Sequence, residues 1–160
     1  MRNEIEIPPE AGPFRSAAAM IWIGWGARLI LAGLFLWAGL RKAMEPEVFL
    51  QDIESYELLP YRWAWLSSIW LPFLEITAAA ALLTTRRWAQ AGAVVIGGML
   101  LVFLAAILSA WARGLSLSCG CFGSSNEPAN YPWLVIRDLL MLGLVGVILL
   151  TTKHTKYTKS

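Results

Sequence analysis

Hydrophobic positions in this chain are gathered into four long runs, and polar positions are concentrated between them. Residues 17–40 form a 24-residue run with one charge, Arg28. Residues 63–83 form a 21-residue run with one charge, Glu75. Residues 88–111 give 24 residues with no charge, and residues 133–150 are apolar except for Arg137-Asp138 near their start. A helix rises about 1.5 Å per residue, so runs of this length match a hydrocarbon core of ~30 Å. Each run therefore predicts a membrane-spanning helix. The first run is too long for a cleaved leader, and no small-x-small site precedes Arg41-Lys42, so it is read as a retained helix. Pro72, one turn before Glu75, removes an amide donor and predicts a kink. Gly92, Gly97 and Gly98 would allow a neighbouring helix to approach closely.

The polar segments complete the expectation. Residues 1–16, with Pro8-Pro9 and Gly12-Pro13, read as a flexible arm, and residues 151–160 as a basic tail. Thr84-Thr85-Arg86-Arg87 reads as a tight turn. The loop over 41–62 carries Glu45, Glu47, Asp52, Glu54 and Glu57, with Phe49, Ile53 and Tyr56 on one helical face. That pattern predicts a short amphipathic helix at the membrane interface. Residues 112–132 form a second long loop, broken by Gly114, Gly120, Gly123, Pro128 and Pro132. The fold class expected is an all-α, integral membrane four-helix up-down bundle, with residues 17–150 as a single domain.

Composition agrees. The chain is 58% hydrophobic and 15% charged, greasier than ordinary soluble domains. Its net charge of +2 and lack of a basic cluster argue against a nucleic-acid partner. Of nine tryptophans, Trp63, Trp65, Trp88, Trp111 and Trp133 mark span ends and read as interface anchors. Trp22, Trp25, Trp37 and Trp70 read as packing residues. The charge distribution sets an expected orientation. The termini and the Arg86-Arg87 turn hold seven basic residues (Arg2, Arg15, Arg86, Arg87, Lys153, Lys156, Lys159) against four in the other loops (Arg41, Lys42, Arg62, Arg113). The positive-inside rule then puts both termini in the cytoplasm and both long loops on the periplasmic or external side.

The candidate chemistry lies in one of those loops. Cys119-Gly120-Cys121-Phe122-Gly123 holds the only two cysteines. Two thiolates are too few for a four-ligand zinc site, and the single histidine, His154, is expected across the membrane. A Cu(I) site survives as a weaker reading. A structural disulfide would close too small a loop to restrain much of the chain. Disulfides want Cα atoms roughly 4.4–6.8 Å apart, whereas i and i+2 reach ~7 Å when extended. The chain must bend there, and a strained bridge is easily reduced, which is the profile of a redox-active pair. Arg113 and Arg137 near the loop would favour a thiolate, while Asp138 would oppose it or accept a proton. Tyr56 and Tyr131 lie on the same side and could line a docking surface.

Arg28 and Glu75 each lie 12 residues from the outer end of their runs, at Leu40 and Trp63, or about 18 Å deep at the helical rise. Charges at such depth are costly and pair inside bundles. An Arg28–Glu75 ion pair is therefore expected, either as a packing device or as part of a quinone, lipid or small-molecule site. Arg137 and Asp138, adjacent on a helix, point about 100° apart and need not pair with each other.

These residues carry a resemblance. Arg28…Gly33-Leu34-Phe35…Ala38-Gly39-Leu40-Arg41-Lys42, Tyr56-Glu57-Leu58-Leu59-Pro60, Leu71-Pro72-Phe73-Leu74-Glu75, and Arg113-Gly114…Cys119-Gly120-Cys121-Phe122-Gly123 followed by Arg137-Asp138 are similar to the methylamine utilisation MauE family of DoxX-like membrane proteins. The likeness covers roughly residues 20–150. It implies four transmembrane helices and a part in maturing a disulfide-rich periplasmic client such as methylamine dehydrogenase. It also implies a thioredoxin-like, MauD-type partner. On this reading Cys119 and Cys121 are the thiol–disulfide exchange pair, supported by Gly120, Phe122, Gly123, Arg113, Arg137 and Asp138. No cofactor is required by the motif, and a quinone is a candidate. The alternative is a non-catalytic assembly or docking protein in which the cysteines only shape the loop.

Overall fold

The computed structural model describes the backbone of residues 13–115 and 130–157, and side chains within 22–115 and 130–152. Five helices account for it: α1 Pro13–Met44, α2 Pro46–Ser55, α3 Tyr61–Leu82, α4 Arg86–Ala112 and α5 Tyr131–Tyr157. No strand occurs among the described residues. Four of the five are long and apolar enough to cross a membrane. In lipid a helix is the element that satisfies its own backbone donors and acceptors, which is why such runs fold this way.

The long helices close into a ring. α1 packs on α3 and α5, and α4 packs on the other sides of α3 and α5. Two features near the first connection position the buried charges. First, α1 does not stop at the end of its apolar run but continues through Arg41 and Lys42 to Met44. Second, α2 folds against α3 and touches α1. Pro46 opens α2, where a missing N–H costs nothing. The chain then reverses at Glu57, whose φ of 51° is left-handed, and Pro60 caps the start of α3. Pro72 is buried within α3, which continues as helix through that residue.

The dry core is built from small and branched side chains, among them Leu31, Phe35, Ala79, Leu82, Ala93, Ile96 and Ile148. Helices surrounded by lipid gain little by hiding apolar groups from one another, so close backbone approach matters more. Two glycines make that approach. A Cβ on Gly39 would lie 2.9 Å from Ile76 Cγ1 and 3.1 Å from the Pro72 carbonyl, and one on Gly92 would lie 2.7 Å from the Ala78 carbonyl. They seat α1 and α4 on opposite flanks of α3. Gly98 differs, with open space where its Cβ would be. All nine tryptophans are exposed on the outer surface of the bundle. For Trp22, Trp25, Trp37 and Trp70 this corrects the packing role expected from sequence. Lipid-facing positions are apolar for solvation alone, and hydropathy cannot separate them from core positions.

Gly92→Ala should lower the unfolding stability of the detergent-solubilised protein by about 1–3 kcal/mol, because its methyl meets backbone. Gly98→Ala should leave stability unchanged or slightly raised, since alanine is the better helix former. Reversible unfolding of both variants in the same detergent checks this.

Candidate functional site: a polar cavity in the bundle

Between Lys42 and Glu75 the ring of helices encloses an ion pair, with Lys42 Nζ 2.5 Å from Glu75 Oε1. Both residues are buried, at 7% and 1% exposure. Phe49 of α2 and Phe103 of α4 close over the ammonium, with ring centroids 4.8 and 5.1 Å from Nζ. Faces of aromatic rings attract a cation, the more so where water is excluded. Four elements thus meet at one lysine.

A second ion pair lies beside it on α5. Arg137 donates from Nε and Nη2 to Asp138 Oδ1, at 3.1 and 3.0 Å. The two side chains, about 100° apart on the helix, do bond to each other, because the long guanidinium can bend round to its neighbour. Asp138 is 1% exposed, and Lys42 also attracts it electrostatically. Lys42, Glu75, Arg137 and Asp138 line a cavity of about 60 Å³ whose walls are otherwise mainly apolar, with Phe35, Leu100, Phe103 and Ile107 among them. That volume is room enough for ordered water. Among the described residues, Glu75 Oε2 and Asp138 Oδ2 are buried without a hydrogen-bond partner. A buried acceptor left unfilled costs ~1–3 kcal/mol. Both belong to residues that line the cavity, and each would be stabilised by a hydrogen-bond donor.

The Arg28–Glu75 pair expected from sequence does not form, since Glu75 is bonded to Lys42. Depth counted from Leu40 is misleading, because α1 runs on to Met44. Lys42 is therefore inside the bundle, and Arg28 lies 14 residues further back, about 21 Å along the helix. There Arg28 approaches Arg86 at the opposite end of the bundle, which repels it. Its guanidinium lies over Trp25, 5.6 Å from the ring centroid, and its Nε has no hydrogen-bond partner among the described residues.

Lys42 is the residue that hydropathy misplaces, because beside Arg41 it reads as a flanking charge. A signal is present all the same: Leu31, Phe35, Ala38 and Lys42 are spaced 4, 3 and 4 apart, one continuous helical face. Tyr56 forms part of the cavity wall. Arg113 donates to the Tyr56 carbonyl, tying the end of α4 to the end of α2. Tyr131 donates to the Leu115 carbonyl, and its ring stacks on Trp111 at 6.0 Å and 9°. Cys119, Gly120, Cys121, Phe122 and Gly123 lie outside the described residues.

The fold and cavity define a multi-pass helical membrane protein with charged side chains paired inside its bundle. The sequence model of the family described as methylamine utilisation protein MauE matches residues 20–151. The methylamine utilization protein MauE of Paracoccus denitrificans is 33% identical over 126 residues, 78% of this chain and 67% of that protein. The chain belongs to the MauE family. No solved structure matches it.

Lys42→Met alone should destabilise the protein by about 3–5 kcal/mol, by leaving Glu75 charged and unpaired. The double variant Lys42→Met/Glu75→Met should recover most of that loss. A double-mutant cycle on Lys42 and Glu75 should give a coupling above ~1 kcal/mol, and one on Arg28 and Glu75 a coupling below ~0.5 kcal/mol. Unfolding in detergent measures both.

Proposed function

We propose that this protein is a membrane-embedded thiol–disulfide maturation factor for methylamine utilisation, with Cys119 and Cys121 as its exchange pair. The observation that carries the reading is where the cysteine-bearing connector is tethered. Its flanking residues are held together by the Tyr131–Leu115 hydrogen bond and the Trp111–Tyr131 stack. They join the bundle at the end where α4 and α5 contribute Ile107, Leu134, Arg137 and Asp138 to the polar cavity. Cys119 is four residues from Leu115, so covalent geometry alone keeps it within ~14 Å of that anchor. The family name supplies the pathway, and the tight Cys-Gly-Cys spacing supplies the chemistry.

In the exchange a thiolate of one partner attacks a disulfide sulfur of the other. A mixed disulfide forms, and the second cysteine resolves it, so that one disulfide breaks as another forms. The pair holds two electrons at a time. A thioredoxin-like partner or a disulfide-rich client docks from the side bearing the connector. On this reading that side is the periplasm of a bacterial inner membrane, and the excess of basic residues on the other side supports the orientation.

Cys119→Ser and Cys121→Ser should each abolish maturation of methylamine dehydrogenase in cells making the full-length chain at normal levels, and one of them should trap a mixed disulfide with the partner. Mature, disulfide-complete client in both variants would leave the protein a docking factor and sink the exchange reading. A membrane-impermeant maleimide added to intact spheroplasts should label the reduced thiols. Labelling only after lysis would reverse the orientation.

A further inference from the structure

Beside the polar cavity lies a second space that the exchange chemistry does not use. It is a groove of about 650 Å³ between α2, α3 and α4. Its walls are almost entirely apolar, including Leu71, Gly98, Met99, Val102 and Ala106. Val102 is 70% exposed, so the groove opens on the lipid-facing surface. It shares Tyr56 and Phe103 with the small cavity. The two spaces therefore share a wall, with an apolar slot open to the bilayer beside a small pocket lined by two ion pairs.

We propose that this slot binds a membrane quinone, a neutral dicarbonyl ring on a prenyl tail, with Glu75 and Asp138 exchanging its protons through the small cavity. The proposal rests on the exchange reading above, in which the cysteine pair needs a two-electron partner. Several observations select this ligand. The volume is that of a small-molecule site, while about 60 Å³ in the small cavity is too little for a ring, so ring and tail both occupy the slot. Lys42, Arg137, Glu75 and Asp138 carry two positive and two negative charges, already paired, and Asp52 adds a negative charge on the wall of the slot. That balance disfavours a charged headgroup such as a phosphate, whose desolvated charge would find no surplus cation. An acyl chain would fill the slot but has no use for two buried carboxylate oxygens without donors. A quinone changes from acceptor to donor as it is reduced, and needs such groups beside it.

The step balances. Two S–H bonds of the reduced cysteine pair break and one S–S bond forms. The two electrons and two protons pass to the quinone, whose carbonyl oxygens become the hydroxyls of a quinol. The same site run backwards oxidises quinol and reduces the disulfide.

The test uses purified full-length protein in detergent and a short-tailed benzoquinone. Saturable binding, read as quenching of tryptophan fluorescence, is expected. Gly98→Leu should weaken it by at least about tenfold, because the side chain enters the slot where no atom now lies within 4 Å. Its unfolding midpoint should be unchanged. Cys119→Ser/Cys121→Ser should bind quinone as the parent does, which separates the site from the exchange reading. Reduced parent protein should convert quinone to quinol, and Asp138→Asn should slow that rate by at least about tenfold while binding is kept. Binding that is absent, insensitive to Gly98→Leu, or competed equally well by a diacylglycerol of matched tail length would overturn the quinone site. An unchanged rate in Asp138→Asn would overturn the proton route. If quinone binds as expected but no quinol forms, the electron and proton transfer proposed here is overturned, while failure of the exchange reading is read separately from client maturation in the cysteine variants.

Discussion

The Lys42–Glu75 ion pair is the constraint on which the rest of this bundle depends. Separately, each charge would be prohibitive at its depth in the membrane. Together, at 2.5 Å, they fix the sliding position of α1 against α3, because any shift of a turn leaves both unpaired. Gly39 lets the two backbones meet closely enough for the pair to form, one turn from Lys42. The pair also explains α2. A lysine so near the end of α1 would be wet unless something covered it, and Phe49 of α2 lies over it from one side while Phe103 of α4 lies over it from the other. The short helix is a lid on a charge as much as a connector.

This divides the molecule into unlike halves. Toward the turn between α3 and α4 the interior is mainly alanine, leucine and isoleucine, with Arg28 and Arg86 as its charged members. Toward the connector between α4 and α5 it holds two ion pairs and two carboxylate oxygens that no described residue satisfies. A protein free to choose would fill that end with hydrocarbon, since replacing a buried ion pair by well-packed apolar groups is often neutral or stabilising. Four charged side chains kept around a water-sized space therefore point to use rather than to stability. The apolar slot beside them opens on the lipid-facing surface.

A redox pair on a membrane protein has to meet two different worlds. Its disulfide chemistry is with proteins in water, while a two-electron donor or acceptor of small size is most concentrated in the lipid. On the proposed reading, the described ends of the connector, the small cavity and the slot lie at one end of the bundle. MauE-family membership attaches that arrangement to methylamine utilisation.

Much of this is legible in the residues themselves. Four apolar runs determine four spanning helices, because backbone in lipid has to bond internally. Phe49, Ile53 and Tyr56 announce α2, and Arg113, Arg137 and Asp138 stand out by charge and position alone. What the sequence by itself leaves undecided is register. Hydropathy ends a helix where charge begins, so it stops α1 at Leu40 and assigns Glu75 the wrong cation. Only the packing of α1 on α3 shows that the helix runs through Lys42 and that Arg28 belongs at the other end. The tryptophans at mid-span have the same explanation: in lipid both faces of a helix are apolar, so composition cannot say which one is inside. Pairing and facing are properties of neighbours, and neighbours exist only in the tertiary structure.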